Sequence, residues 1–281
     1  MTEGPFGYCM NTSTLRGQEL TLIEMIDLVA EVGYDGIEPW VRELDAFVAA
    51  GGDLRALGRH IADAGLDVPN VISFFEWGVD DPERRAAGLA EARRAMALCA
   101  EIGCRRIAAP PFGIAEESVP LRVLADRYRA VLELGEEVGV VPMVEFWGTA
   151  RPLSRLGEAV YVAMESGHRD ACVLVDIFHM YKSGSPHSGL RLVGPETVGL
   201  VHLNDYPPEP SRELATDADR IYPGDGIAPL GQILHDLAAA GYTGGLSLEL
   251  FNEVYWRQEA REVARVGLEK MRGLVAEHLA Y

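Results

Sequence analysis

The chain has 281 residues, 48% of them apolar and 24% charged, enough material for one large core and a poor composition for long disordered stretches. Its formal net charge is −18 and it has only two lysines, Lys182 and Lys270, which leaves little with which to grip a nucleic-acid backbone. No run approaches the roughly 18 apolar residues needed to cross a bilayer, and residues 1–8 lack the basic and apolar regions of a signal peptide. A cytoplasmic protein with neither nucleic acid nor membrane as partner is expected. Cys9, Cys99, Cys104 and Cys172 form no C-x-x-C pair and read as reduced, mostly buried thiols.

Short apolar runs alternate with longer segments of helical period, eight times over. The first candidate strand ends near 9–11, and Leu22, Ile26 and Val29 then mark a helix followed by Gly33. The second strand ends near 38–40, the third near 74–76 and the fourth at Pro110, with Gly65 and Gly103 in the turns before the last two. Leu124, Tyr128, Val131, Leu132 and Gly135 repeat every three or four residues ahead of Gly139 and a fifth strand ending near 145–147. The sixth strand ends near 176–178 and the seventh near 202–204. A Pro-rich stretch at 207–210 opens a loop from 205 to 225, whose length and proline content suit a lid over a site. Pro229 suits the first turn of the seventh helix, Leu230, Ile233, Leu234 and Leu237 follow on one face, and Gly241 ends it. The eighth strand ends near 249–251.

Consecutive βα units predict a parallel sheet with helices outside it, and eight of them favour closure. The expected fold is α/β, a (β/α)8 TIM barrel forming one domain over residues 1–281. A dinucleotide-binding sheet would want G-x-G-x-x-G after its first strand, where residues 9–20 read CMNTSTLRGQEL.

The fifth to eighth strands each place a metal-capable side chain near the carboxyl end: Glu145 in PMVEF, Asp176 in VLVDI, His202 in LVHLND and Glu249 in SLELF. Active sites of such barrels sit at that end. Strand alternation puts Glu145 on the face of Met143, Asp176 on that of Leu174 and Cys172, His202 on that of Leu200, and Glu249 on that of Ser247. Converging carboxylates in an apolar interior would repel one another and lack solvation, and a divalent cation removes that penalty. An oxygen-rich shell with one imidazole suits Mn²⁺ first, with Mg²⁺, Co²⁺ or Zn²⁺ as alternatives.

With these residues in place, the chain resembles the xylose-isomerase-like TIM barrel family, the sugar phosphate isomerase/epimerase group. The motifs that carry the likeness are GYDGIEPW at 33–40, VEFWG at 144–148, VDIFHMYKSG at 175–184, VHLNDYP at 201–207 and LSLELF at 246–251. The resemblance implies that Glu145, Asp176, His202 and Glu249 are the metal ligands and that His179 binds substrate. It also implies a mechanism in which the metal polarises a carbonyl and acidifies the adjacent C–H. Glu145 and Glu249 would then flank an enediolate as base and acid, while His179 or Arg220, in the DADRIYPGDG loop, steadies the substrate oxygen. The expected partner is a small polyhydroxylated substrate of carbohydrate metabolism, unphosphorylated for want of a Gly-rich phosphate cradle. A homo-oligomer is left open.

Trp40, Trp147 and Phe112, just past strand ends, would wall the site. Lys182 reads as an exposed charge, and His60, His168, His187, His235 and His278 as structural. Glu38 falls outside the family's ligand set and at most supports a ligand from behind. Ketose 3-epimerases carry a glutamate six residues after the fifth-strand ligand, where this chain has Arg151, so a free ketohexose is a poor fit. The leading expectation is therefore an isomerase or epimerase of a ketose, inosose or related keto-polyol. A metal-dependent lyase of the 3-dehydroshikimate or inosose dehydratase type is the alternative. A sugar-binding subunit without catalysis is the third reading, and the presence of both glutamates speaks against it.

Overall fold

A computed structural model describes residues 4–279. Residues 1–3, within the 1–8 stretch that lacks signal-peptide character, and residues 280–281, at the far end of the expected 1–281 domain, lie outside the described residues. The strands are β1 (Gly7–Asn11), β2 (Gly36–Glu38), β3 (Arg106–Ala109), β4 (Val141–Glu145), β5 (Cys172–Asp176), β6 (Val198–His202) and β7 (Gly245–Leu248). They pair in parallel in the order β2-β1-β7-β6-β5-β4-β3. The helices are α1 (Leu22–Val32), α2 (Val41–Ala49), α3 (Leu54–Asp63), α4 (Pro82–Glu101), α5 (Leu121–Val138), α6 (Leu156–Glu165), α7 (Ile177–Ser183), α8 (Leu230–Ala239), α9 (Glu253–Trp256) and α10 (Ala260–His278). Among the described residues, none of them is long and apolar enough to cross a membrane.

Eight regular strands are expected from the sequence, and among the described residues there are seven plus an irregular segment that closes the ring. On one side of that segment Ile37 N donates to Asp67 O (2.9 Å), Val41 N to Ile72 O (2.9 Å) and Ile72 N to Pro39 O (3.0 Å). On the other, Ala108 N donates to Val71 O (3.0 Å) and Ser73 Oγ to Ala108 O (2.6 Å). Pro69 stands in the middle of the segment without an N–H, so a continuous ladder cannot form there. The pairing runs over 67–73, earlier than the expected end at 74–76.

Helix ends follow the local chemistry. Thr21 and Glu24 form a capping box at the start of α1, and Gly33 ends it with φ of +98°, a conformation that favours glycine. Pro229 caps α8, whose Leu230, Ile233, Leu234 and Leu237 are buried as the spacing requires. Most of the core lies between sheet and helices, but Met143, Cys172, Leu174 and Leu200 form a separate buried cluster with Trp40, Ile72 and Ala108. That cluster is the inside of the barrel, and it is built from the residues expected to share faces with Glu145, Asp176 and His202. All four cysteines are buried and free.

Candidate metal centre and active site

Strands β4, β5 and β6 end on Glu145, Asp176 and His202, and Glu249 follows the last residue of β7. Parallel register pairs Asp176 with His202 and His202 with Ser247, so these side chains emerge at one level of the barrel mouth. All four of the sequence-derived ligand candidates are buried. One donor atom each from Asp176, His202 and Glu249 lies within 4.8 Å of the others. Glu145 stands outside this tight trio but lines the same pocket, as do His179 and Arg220.

His202 is held from behind by Glu38, with Nε2 2.9 Å from Glu38 Oε1. Its Nδ1 lies 3.1 Å from Glu249 Oε2 and 3.4 Å from Asp176 Oδ2, yet makes no hydrogen bond with either. Burial alone would lower the basicity of this ring, but the charges of Glu249 and Glu38 outweigh it and raise the pKa well above the ordinary value. Arg220, in the loop from 205 to 225, is also buried, and its Nη1 bonds Asp176 Oδ2 (2.7 Å) and Glu249 Oε2 (2.8 Å). Its Nη2 bonds Asp217 Oδ1 (2.5 Å) and lies 3.4 Å from His179 Nε2.

Burial would push Asp176 upward, but Arg220 first and then His179 and His202 hold it well below the usual carboxylate range. Asp176 also caps α7, accepting from His179 N at 3.1 Å, which fixes His179 in the first turn beside the cluster. Burial lowers the His179 pKa against the pull of Asp176. Glu145 is pushed up to about 8, chiefly by burial and then by Glu249 and Asp176, against the opposing charge of His202. These residues fit a divalent cation: carboxylate oxygens converge with a buried imidazole nitrogen that lacks a hydrogen-bond partner, and the other ring nitrogen rests on a carboxylate.

The cavity has a volume of about 210 Å³, below the roughly 300–1,000 Å³ of drug-sized sites, which sizes it for one small molecule. Trp40 and Trp147 wall it as expected, together with Ile72, Phe74 and Phe251. Phe112 does not reach it: Phe74 intervenes, their ring centroids 5.5 Å apart, and Phe112 is 39% exposed. Phe74 and Phe251 were within the predicted strand ends, but alternation alone did not mark them as walls.

The loop from 205 to 225 forms one side of the pocket through Asp217 and Arg220. Its base is fastened by buried Asp205, whose carboxylate accepts from Tyr206 N, Gly224 N, Gly226 N and Ala228 N at 2.8–3.0 Å. A side chain on Gly226 would strike Tyr206 O at 2.2 Å, so only glycine permits this closure. Lys182 corrects the sequence reading. It is half-buried, and its Nζ donates to the carbonyls of Arg212, Glu213 and Ala215, tying α7 to the loop. Of the histidines read as structural, His60 pairs with Asp27 (2.7 Å) and His168 lies 3.4 Å from Glu136; neither approaches the pocket.

A parallel barrel with metal-capable side chains on successive strand ends defines a class of enzyme scaffold. The chain belongs to the xylose isomerase-like TIM barrel family, which it matches over residues 26–274. It is 26% identical over 282 residues to the inosose isomerase of Bacillus velezensis, covering 96% of this chain and 97% of that one. It is also 26% identical over 263 residues to the 3-dehydroshikimate dehydratase of Pseudomonas aeruginosa, covering 89% of this chain but 39% of that longer protein. Among solved structures, the zinc-bound IOLI protein matches with a TM-score of 0.90 at 20% identity, over 98% of this chain and 100% of that one, a likeness of fold.

Proposed function

We propose that the protein, read as one domain over residues 1–281, is a divalent-metal-dependent isomerase or epimerase of a cyclitol or sugar ketone. The observation that carries this reading is the convergence of Asp176, His202 and Glu249 within 4.8 Å beside a pocket that Glu145 and Glu249 both line. Inosose isomerases aligned over nearly the full chain support it. Glu145, Asp176, His202 and Glu249 would hold the ion, and a divalent cation there would supply Lewis acidity to a substrate carbonyl.

Glu145 and Glu249 flank the carbon next to that carbonyl, one removing its proton and the other returning a proton to the enediolate. Trp147 Nε1 holds Glu145 Oε1 at 3.2 Å, while Glu249 is held through both oxygens, Oε1 by Asn11 Nδ2 (3.1 Å) and Oε2 by Arg220 Nη1 (2.8 Å). Arg220 and His179 bind the substrate oxygen that gains charge. The aromatic walls exclude water and cover the apolar face of a ring. Mn²⁺ is the ion assigned, from the oxygen-rich donor set, and the acidic chain is assigned to carbohydrate metabolism in the cytoplasm.

The match to a 3-dehydroshikimate dehydratase favours a second reading, in which the same base and metal site drive loss of a β-hydroxyl. The deciding experiment is a metal-reconstituted screen of inososes, ketoses and 3-dehydroshikimate with chromatographic separation of products. Interconversion of a keto-polyol without a new chromophore is expected. A conjugated, ultraviolet-absorbing product would establish the lyase instead, and metal-loaded protein that turns over none of them would overturn both.

A further inference from the structure

Glu38, the last residue of β2, is fully buried and has every acceptor position in use. Asn11 Nδ2 (2.8 Å) and Ser247 Oγ (2.7 Å) donate to Oε2, while Asn70 Nδ2 (2.6 Å) and His202 Nε2 (2.9 Å) meet Oε1. An ionised carboxylate accepts and never donates, so the proton in the Glu38–His202 bond belongs to Nε2. In the neutral ring the Nδ1 lone pair is then free, and this is the atom 3.1 Å from Glu249 and 3.4 Å from Asp176 with no hydrogen-bond partner of its own.

We infer that Glu38 is a positioning residue for the metal site, acting through His202: it fixes the Nε2–H tautomer and holds Nδ1 toward Asp176 and Glu249 as the donor atom. Partners of this kind orient the ring and raise its strength as a ligand, and their loss commonly weakens metal binding about 10–100-fold. The three donors from Asn11, Asn70 and Ser247 hold the Glu38 carboxylate in place behind His202. They come from β1, the irregular segment and β7, so three separate elements serve one carboxylate.

The inference rests on His202 being a ligand, and the test separates the two claims. Zinc affinity of the full chain is measured by competition with a chromophoric chelator for wild type, Glu38→Gln and Glu38→Asp, alongside thermal unfolding of the metal-free proteins. Glu38→Gln should bind zinc about 10–100-fold more weakly, and Glu38→Asp, which keeps the charge, should recover part of the loss. A merely structural role would lower the unfolding temperature of the metal-free variants and leave zinc affinity at the wild-type value, which overturns the proposal. Long-range ¹H–¹⁵N spectra of the zinc-loaded wild type decide the matter even where a variant fails to fold. A proton on Nε2 with Nδ1 metal-bound is expected, and the reverse arrangement overturns the assignment. Wild-type protein that takes up no zinc on His202 would instead remove the ligand reading itself.

Discussion

Glu145→Gln in the metal-free protein gives a direct measure of how the site stores electrostatic stress. The Glu145 carboxyl titrates near 8 in the folded chain against an ordinary value of 4.5, because it is buried beside Glu249 and Asp176. Between those two values the folded protein holds a proton that the unfolded chain has released, so folding stability falls as pH rises, by about 1.4 kcal/mol per unit. Below the lower value both states are protonated and the penalty vanishes; above the upper one it is complete, with a ceiling on the order of 4–5 kcal/mol. The neutral Gln side chain keeps the size and loses this dependence. Urea unfolding in the presence of a chelator, at about pH 5 and about pH 8, should show the variant gaining on wild type as pH rises. A wild-type–variant difference that stays flat over that window, or that changes in the opposite direction, would refute the reasoning. Added metal should reverse the ranking at the higher pH, since it stabilises the ionised carboxylate of wild type.

Asp205→Ala removes four backbone hydrogen bonds to a buried carboxylate and should cost roughly 3 kcal/mol or more in urea unfolding, together with a raised KM; a loss under about 0.5 kcal/mol would mean the loop base is held by other contacts. Arg220→Ala strips the shared cation from Asp176 and Glu249 and should lower kcat/KM about 100-fold, so unchanged kcat and KM on a turned-over substrate would end its assignment to substrate. At matched metal occupancy, Glu145→Gln and Glu249→Gln should block exchange of the substrate α-hydrogen with D₂O. Asp176→Asn and His202→Asn should regain part of their activity in excess metal, and exchange at the wild-type rate in either Gln variant would rule out the two-carboxylate mechanism.

The βα rhythm was legible because apolar runs and helix-ending glycines are local signals: Gly33, Gly65, Gly103, Gly139 and Gly241 all adopt positive φ, where a side chain would be strained. The third strand was misplaced because the apolar Phe74 and Phe75 extend the run beyond the pairing, while Pro69 breaks the ladder inside it. Glu145, Asp176, His202 and Glu249 stood out because ionisable groups at strand ends are conspicuous in an apolar pattern. Glu38 was visible too, but its role depends on a histidine 164 residues away, a distance at which no spacing rule operates. Asn11, Asn70 and Ser247 gave no signal, since an uncharged polar residue in a strand looks like any other until its partners are known. Lys182 was misread for a related reason: its three acceptors are backbone carbonyls of a loop some 30 residues on, and carbonyls carry no mark in a sequence.

The irregular segment at 67–73 gives the barrel a seam. Elsewhere around the ring neighbouring strands pair in registered parallel ladders, with an irregularity between Val173 and Leu174, whereas here four backbone hydrogen bonds hold one side and a single one, Ala108 N to Val71 O, holds the other. A closed ring yields first where its stitches are fewest, so breathing of this barrel concentrates between β2 and β3, and the Ala108 amide should exchange with solvent faster than that of Val201. Glu38 lies on one lip of the seam, and Asn70, which bonds it, lies in the segment itself. The metal centre is thus wired to the loosest join in the fold, and its integrity reports on whether the ring is shut.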